Sequence, residues 1–383
     1  MTVRVIERIL TNVQRLRSLG QSVWIDDLRR DMVASGELAA LRAQGVTGIT
    51  DNPTTFDRAI RESDLYDDDI RRLAPERSPA EVLWELLVED VRQAADVLRS
   101  VHQETAGGDG YVSIEVSPEI ADDTEGTMAM ARDLWRRCGR HNVLVKIPAT
   151  AAGLPAIRMA VSEGINVNVT LTFSVRRYRE VAEAFLAGLD DRHARGLPVD
   201  GVTSVASFFV SRVDTKVDGL LRARMHEAEA REELRVFESL IGRAGIANSK
   251  LVFHQFRQIH SGSRWEKLAA AGARVQRCLW ASTSVKDPSF PATMYVEALA
   301  GPDTVNTMPL ATFHALAEAR IEGPELEREV ELAHDQVRRL SNLGIDLEDV
   351  GAALELEGVE AFRESYRHSI AALAEKVAQS AIR

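Results

Sequence analysis

The chain has 383 residues, 47 Lys and Arg against 58 Asp and Glu, a formal charge of −11, and 45% hydrophobic residues. With no long basic stripe, that balance argues against nucleic acid as a main partner, and the apolar content excludes wholesale disorder. Two cysteines, Cys138 and Cys278, exclude a disulfide scaffold, and neither has a second ligand at metal-like spacing.

Strand-like and helix-like segments then alternate for about 300 residues. The strands are expected at 22–26, 46–50, 111–116, 142–147, 165–170, 202–208, 277–283 and 303–308. The turn-forming Asp51-Asn52-Pro53 follows the second of them. Helices are expected at 55–73, 79–101 (opening on Pro79), 124–138, 150–163 (closed by Gly164), 174–195 and 210–241. Val252-Phe253-His254-Gln255-Phe256 resembles a ninth strand, but its flanks fit a helix running to Gly262. Charged amphipathic helices at 325–341 and 358–380 should cover the barrel. Eight βα units without a linker predict one (β/α)8 TIM barrel over 1–383, with extra helices at 1–20 and 325–380 packed on it. An open doubly wound sheet would want a glycine-rich phosphate turn after an early strand, and the chain has none. No window reaches the ~18 apolar residues of a membrane span, and no basic-then-apolar leader is present, so a cytoplasmic protein that binds no membrane is expected.

Catalytic groups of a barrel come from the carboxyl ends of several strands. The most informative is Lys146, in Val143-Leu144-Val145-Lys146-Ile147-Pro148. One ammonium sits among four apolar residues, where a lysine is rarely found without a partner or a task. Desolvation would lower its pKa and leave a neutral amine able to condense with a carbonyl; the plain alternative is a lysine that snorkels out of a strand end. Asn166-Val167-Asn168-Val169-Thr170 alternates with period two and turns a polar face to one side. Amine attack on a ketone needs a proton donor for the departing oxygen and a base for the hydroxyl proton. Asp26 and Glu115, with a water ordered by Thr170, can divide those duties. A protonated imine is itself the electron sink, so no metal or other cofactor is expected. The histidines are scattered, and His254, the one in an apolar setting, reads as a packing residue.

Six motifs in order carry a resemblance to transaldolase, in its longer bacterial form, over about residues 20–375. They are Val23-Trp24-Ile25-Asp26-Asp27-Leu28, Gly48-Ile49-Thr50-Asp51-Asn52-Pro53-Thr54, Ser113-Ile114-Glu115-Val116, Val145-Lys146-Ile147-Pro148-Ala149-Thr150, Gly164 to Leu171, and Ser204 to Asp214. The resemblance implies that Lys146 is the Schiff-base lysine, Asp26 the acid–base aspartate, and Glu115 the glutamate working through a water held by Thr170. It implies that Asn52, Asn168, Ser207 and Phe209 contact the substrate, and that Arg212, Ser284 and Lys286 hold its phosphate. The implied reaction moves a dihydroxyacetone unit from a ketose phosphate to an aldose phosphate in the pentose phosphate pathway. The rival on the same site is a fructose-6-phosphate aldolase-like lyase; a specialised substrate and a barrel without chemistry are the further alternatives.

Three departures stand out. Asp51 occupies the place where related sequences often have serine, Lys286 the place where shorter transaldolases carry arginine, and Val285 and Asp287 flank that lysine. Sugar phosphates are the expected partners. Val359, Phe362, Tyr366, Ile370, Leu373 and Val377 form an apolar stripe on the last helix, which should pack on its own barrel and leave a monomer or a weak homodimer.

Overall fold

A computed structural model describes residues 3–51, 59–228 and 230–380. Eight parallel strands close into a barrel in sequence order: β1 Gln21–Asp26, β2 Gly48–Thr50, β3 Val112–Glu115, β4 Val143–Pro148, β5 Val167–Thr172, β6 Ser204–Phe209, β7 Arg277–Ala281 and β8 Thr304–Met308, with β8 returning to β1. All eight expected strands are present, and the fold is the expected (β/α)8 barrel with additional helices. No described helix is long and apolar enough to cross a membrane.

The strand alternation sorts side chains into two cores. Val23, Ile25, Val143, Val145, Ala206 and Cys278 point outward and pack in one cluster with the surrounding helices. Their neighbours Trp24, Leu144, Val205, Leu279 and Val305 form a second cluster that plugs the barrel. Gly48 is part of that plug, since a Cβ there would lie 2.3 Å from the Trp24 ring. Above the plug the interior turns polar: Asn168 donates to Ser113 Oγ (2.9 Å) and accepts from Ser207 Oγ (2.6 Å) across three strands.

The helices match with five differences, the first being that the helix expected at 325–341 begins only at Val330 and runs to Asn342. The Pro79–Glu104 helix starts where expected, at a capping box in which Glu81 N–H donates to Ser78 Oγ and Ser78 N–H to Glu81 Oε2 (2.8 Å). The helix expected at 55–73 begins outside the described residues and is broken by a turn at Ser63, whose hydroxyl accepts from Leu65 N–H, before Asp67–Leu73. The helix expected at 150–163 starts at Gly153, because Thr150 Oγ1 is used to accept the Gly153 N–H (2.9 Å). The long stretch 210–241 divides into Ser211–Met225 and Arg231–Glu238. A straight helix would set Leu221 and Phe237 ~24 Å apart, whereas the break lets both join the inner cluster. The 252–256 segment is helical as expected, inside Ala244–Ile259. The last helix runs from Leu347 to Ser380, starting well before the expected residue 358.

Candidate active site

A cavity of about 320 Å³ opens at the carboxyl ends of the strands. Its walls include Asp26, Thr50, Asp51, Lys146, Asn168, Thr170, Ser207, Phe209, Arg212, Ser284, Lys286 and Phe362. Strand register explains the grouping. Glu115 is paired with Lys146, Lys146 with Asn168, and Asp26 with Thr50, so residues distant in sequence stand side by side around the mouth.

Lys146 is 6% exposed. Its Nζ lies 2.9 Å from Glu115 Oε2 and 3.8 Å from Asp51 Oδ1, and it donates to the Asp51 carbonyl at 3.0 Å. The expected downward pKa shift is not what this setting produces. Burial alone does favour the neutral amine, but Glu115, Asp51 and Asp26 together outweigh it and hold the amine protonated, well above its ordinary range. The carboxylates answer in kind. Burial pushes Glu115 up to about 7, with Lys146 opposing and Asp51 adding to the shift. Burial also raises Asp26 and Asp51, against the pull of Lys146. To become a nucleophile the ammonium must first give up a proton, and Glu115 Oε2 at 2.9 Å and Asp51 Oδ1 at 3.8 Å are the carboxylate oxygens placed to take it.

Asp26 is oriented by Thr50 Oγ1 (2.9 Å), which is in turn 2.9 Å from Thr307 Oγ1. Glu115 stands behind the lysine and lines not this cavity but a smaller one, with Leu28, Leu83, Trp84 and Tyr366; Asp51 lines both. Thr170 Oγ1 is buried without a hydrogen-bond partner, so it has a free donor and acceptor to offer a ligand or a water. It precedes a bulge in which Leu171 takes φ 57° and the β5–β6 register shifts. The bulge sends Leu171 into the inner cluster with Phe173, Phe209, Val359 and Phe362. Asn52 lies outside the described residues.

The cationic rim comes from two loops. Arg212 lies at the start of the Ser211–Met225 helix, half-buried, with its guanidinium carbon 5.2 Å from the centre of the Phe209 ring. No carboxylate of a described residue pairs with it, and burial pulls its pKa down from the ordinary arginine value. Lys286 Nζ donates to Ser284 Oγ (2.7 Å). Asp287, whose charge stood next to that lysine in the sequence, is turned to Arg222 and to Ser289, accepting from its N–H at 2.9 Å and its hydroxyl at 2.7 Å. It does not line the cavity.

Sequence reasoning passed over Thr50, Ser282, Thr307 and Phe362, all of which line the cavity. Thr50 stood next to Asp51 at a strand end and was open to notice. Phe362 was read only as packing, yet its ring centre is 5.7 Å from Lys146 Nζ.

A closed parallel barrel with an amine among carboxylates at its mouth, and cations on the rim, has the parts for chemistry on an anionic carbonyl compound. Residues 23–373 match the family model described as transaldolase/fructose-6-phosphate aldolase. The chain is 44% identical over 373 residues to a transaldolase of Saccharopolyspora erythraea, covering 97% of this chain and 99% of that one. It is 45% identical over 369 residues to a transaldolase of Thermobifida fusca (96% and 98% covered) and 39% identical over 373 residues to one of Trichodesmium erythraeum (96% and 98%). The chain belongs to the transaldolase/fructose-6-phosphate aldolase family.

Proposed function

We propose that the chain is a transaldolase, moving a dihydroxyacetone unit from sedoheptulose 7-phosphate or fructose 6-phosphate to glyceraldehyde 3-phosphate or erythrose 4-phosphate. The observation that carries this is the Lys146 amine, buried 2.9 Å from Glu115 on a cavity that also holds the Arg212 and Lys286 cations. Lys146 attacks the ketose carbonyl, and loss of water leaves a protonated imine. Asp26 takes the proton of the C4 hydroxyl, the C3–C4 bond breaks, and its electron pair is held by the imine as an enamine. Addition to the acceptor aldehyde and hydrolysis complete the transfer. Glu115, whose carboxyl pKa is raised by burial above the ordinary range, and Thr170, whose hydroxyl has no partner among the described residues, serve the water-forming and water-consuming steps. Asn168 and Ser207 bind substrate hydroxyls, and Arg212, Ser284 and Lys286 hold the phosphate.

The lyase alternative requires water to protonate the enamine. Phe209, tilted against Phe173 at 5.1 Å between ring centres, presents an apolar wall there and supports transfer over release. Borohydride added with fructose 6-phosphate should trap a sugar adduct on the wild-type protein and none on Lys146→Ala. A coupled assay should show turnover only when erythrose 4-phosphate is present. Trapping that survives the substitution removes the lysine assignment, and equal turnover without acceptor makes the enzyme an aldolase. Because the imine is the electron sink, EDTA should leave turnover unchanged.

A further inference from the structure

Asp51 is held in an uneven way. Oδ2 accepts the Glu115 N–H at 2.8 Å, and the main-chain carbonyl accepts from Lys146 Nζ at 3.0 Å. The second carboxylate oxygen, Oδ1, is buried with no hydrogen bond and lies 3.8 Å from the same Nζ. A buried, unsatisfied carboxylate oxygen costs stability, and a purely structural cap for the Glu115 amide would not need it. A serine hydroxyl can accept that N–H with no charge buried. The charge therefore calls for a different explanation, and among the described residues the cation within its reach is the Lys146 amine.

We infer that Asp51 is a proton-transfer residue for imine formation, with Oδ1 taking a proton from the Lys146 ammonium and returning it to the oxygen that departs from the substrate. This rests on Lys146 being the imine-forming residue. The step balances. The proton moves from Nζ to Asp51, and the freed electron pair forms the N–C bond as the carbonyl π pair moves to oxygen. That oxygen takes the second nitrogen proton through the neighbouring carboxylates. The Asp51 proton then lets it leave as water, and the products are one protonated imine and one water. Glu115 alone would have to accept the ammonium proton and also manage the water, and a second carboxylate divides the tasks.

Among the described residues, the charged and titratable groups around Asp51 are Asp26 on β1, Glu115 on β3, Lys146 on β4, and Arg212 and Lys286 across the cavity. Asp90 and Tyr366 lie on the far side, around the smaller cavity that Asp51 also lines. With a carboxylate at Asp51, lysine deprotonation is internal, and imine formation should level off near neutrality. Without it, Glu115 at 2.9 Å must both take the ammonium proton and manage the water, so imine formation should slow at neutral pH and rise again only where hydroxide takes over the deprotonation.

The test is rapid-quench borohydride trapping of the full-length protein with fructose 6-phosphate across pH 6–9, using Asp51→Ser and Asp51→Asn. Both keep an acceptor for the Glu115 amide and remove the charge. The expected result is trapping at least tenfold slower at pH 7 in both variants, without the neutral plateau, while inorganic phosphate competes as it does with wild type. Trapping within twofold of wild type with the same pH profile in either folded variant overturns the inference. Wild-type protein that gives no Lys146-dependent adduct overturns the underlying reading instead, so the two failures are distinct.

Discussion

Arg212 is the residue whose role is least explained by folding. An arginine in Ser-Arg-Val-Asp ordinarily finds a carboxylate on the surface, yet here Asp214 turns away to accept from Gly245 N–H (2.7 Å) and Tyr295 OH (2.8 Å). Arg212 is left stacked over Phe209 and facing the cavity. A charge-assisted hydrogen bond is worth about 1.5–3 kcal/mol, so Arg212→Ala should raise the half-saturation constant for phosphorylated ketoses roughly 10- to 100-fold. With unphosphorylated ketoses the change should be small. Steady-state kinetics on the two substrate types checks this, and an equal penalty for both would refute phosphate contact. Lys286→Arg should hold or tighten phosphate binding, because a planar fork replaces a point charge. At this scale the sequence was informative about identity and poor about state. Lys146 could be picked out by its apolar neighbours. Its charge could not, because that depends on Glu115 and Asp51, which barrel closure brings beside it from two other strands.

The last helix shows what local reading misses at the level of elements. Gly351 and Gly358 argue against a continuous helix in the sequence, since each costs ~1 kcal/mol relative to alanine. In the fold they are seven residues apart on one buried face, where the helix crosses the end of β5. A Cβ at Gly351 would lie 2.8 Å from Ser174 Cβ and 3.4 Å from the Phe173 backbone carbon, and one at Gly358 would lie 2.8 Å from Leu171 Cδ2 and 3.7 Å from Arg212 Nη1. Small residues thus let the helix approach closely enough to bring Phe362 over Lys146. The two effects of alanine oppose each other: ~1 kcal/mol gained in helix propensity against ~1–3 kcal/mol for overpacking. At Gly351 the obstacle is Ser174 Cβ, which is fixed to its backbone and cannot swing aside, so the clash should win and the melting temperature should fall. At Gly358 the obstacle is the tip of a leucine, and the fall should be smaller. Thermal melts of the two variants test the ranking. A Gly351→Ala protein as stable as wild type would mean the helix is not held against β5 as described. The breaks at Ser63 and after Met225 were illegible for the same reason: tertiary packing chose them, and neither is marked by Gly or Pro.

For the whole molecule, the open question in the sequence was what covers the apolar stripe of the last helix. Val359, Phe362 and Leu373 are buried, the first two against the inner cluster and Leu373 against Ile60, Tyr66 and Leu83. Tyr366, Ile370 and Val377 pack at the edge of that same group, and Trp84 Nε1 donates to Tyr366 OH at 3.2 Å. The stripe is thus consumed within the chain, with no partner needed. Large apolar side chains that remain exposed among the described residues are Val3, Leu65, Leu197, Leu220, Leu332 and Leu356. They are single residues on six different helices or connecting segments, whereas a stable homodimer wants a contiguous apolar patch of roughly 800 Å² per subunit. Single exposed apolar residues are ordinary surface. We therefore propose that the chain is a monomer whose barrel and added helices form one domain. Light scattering should return a constant 42.3 kDa across a hundredfold dilution. A constant mass of twice that value would show that a polar helical face has made the interface instead, and a mass falling with dilution would identify a weak dimer.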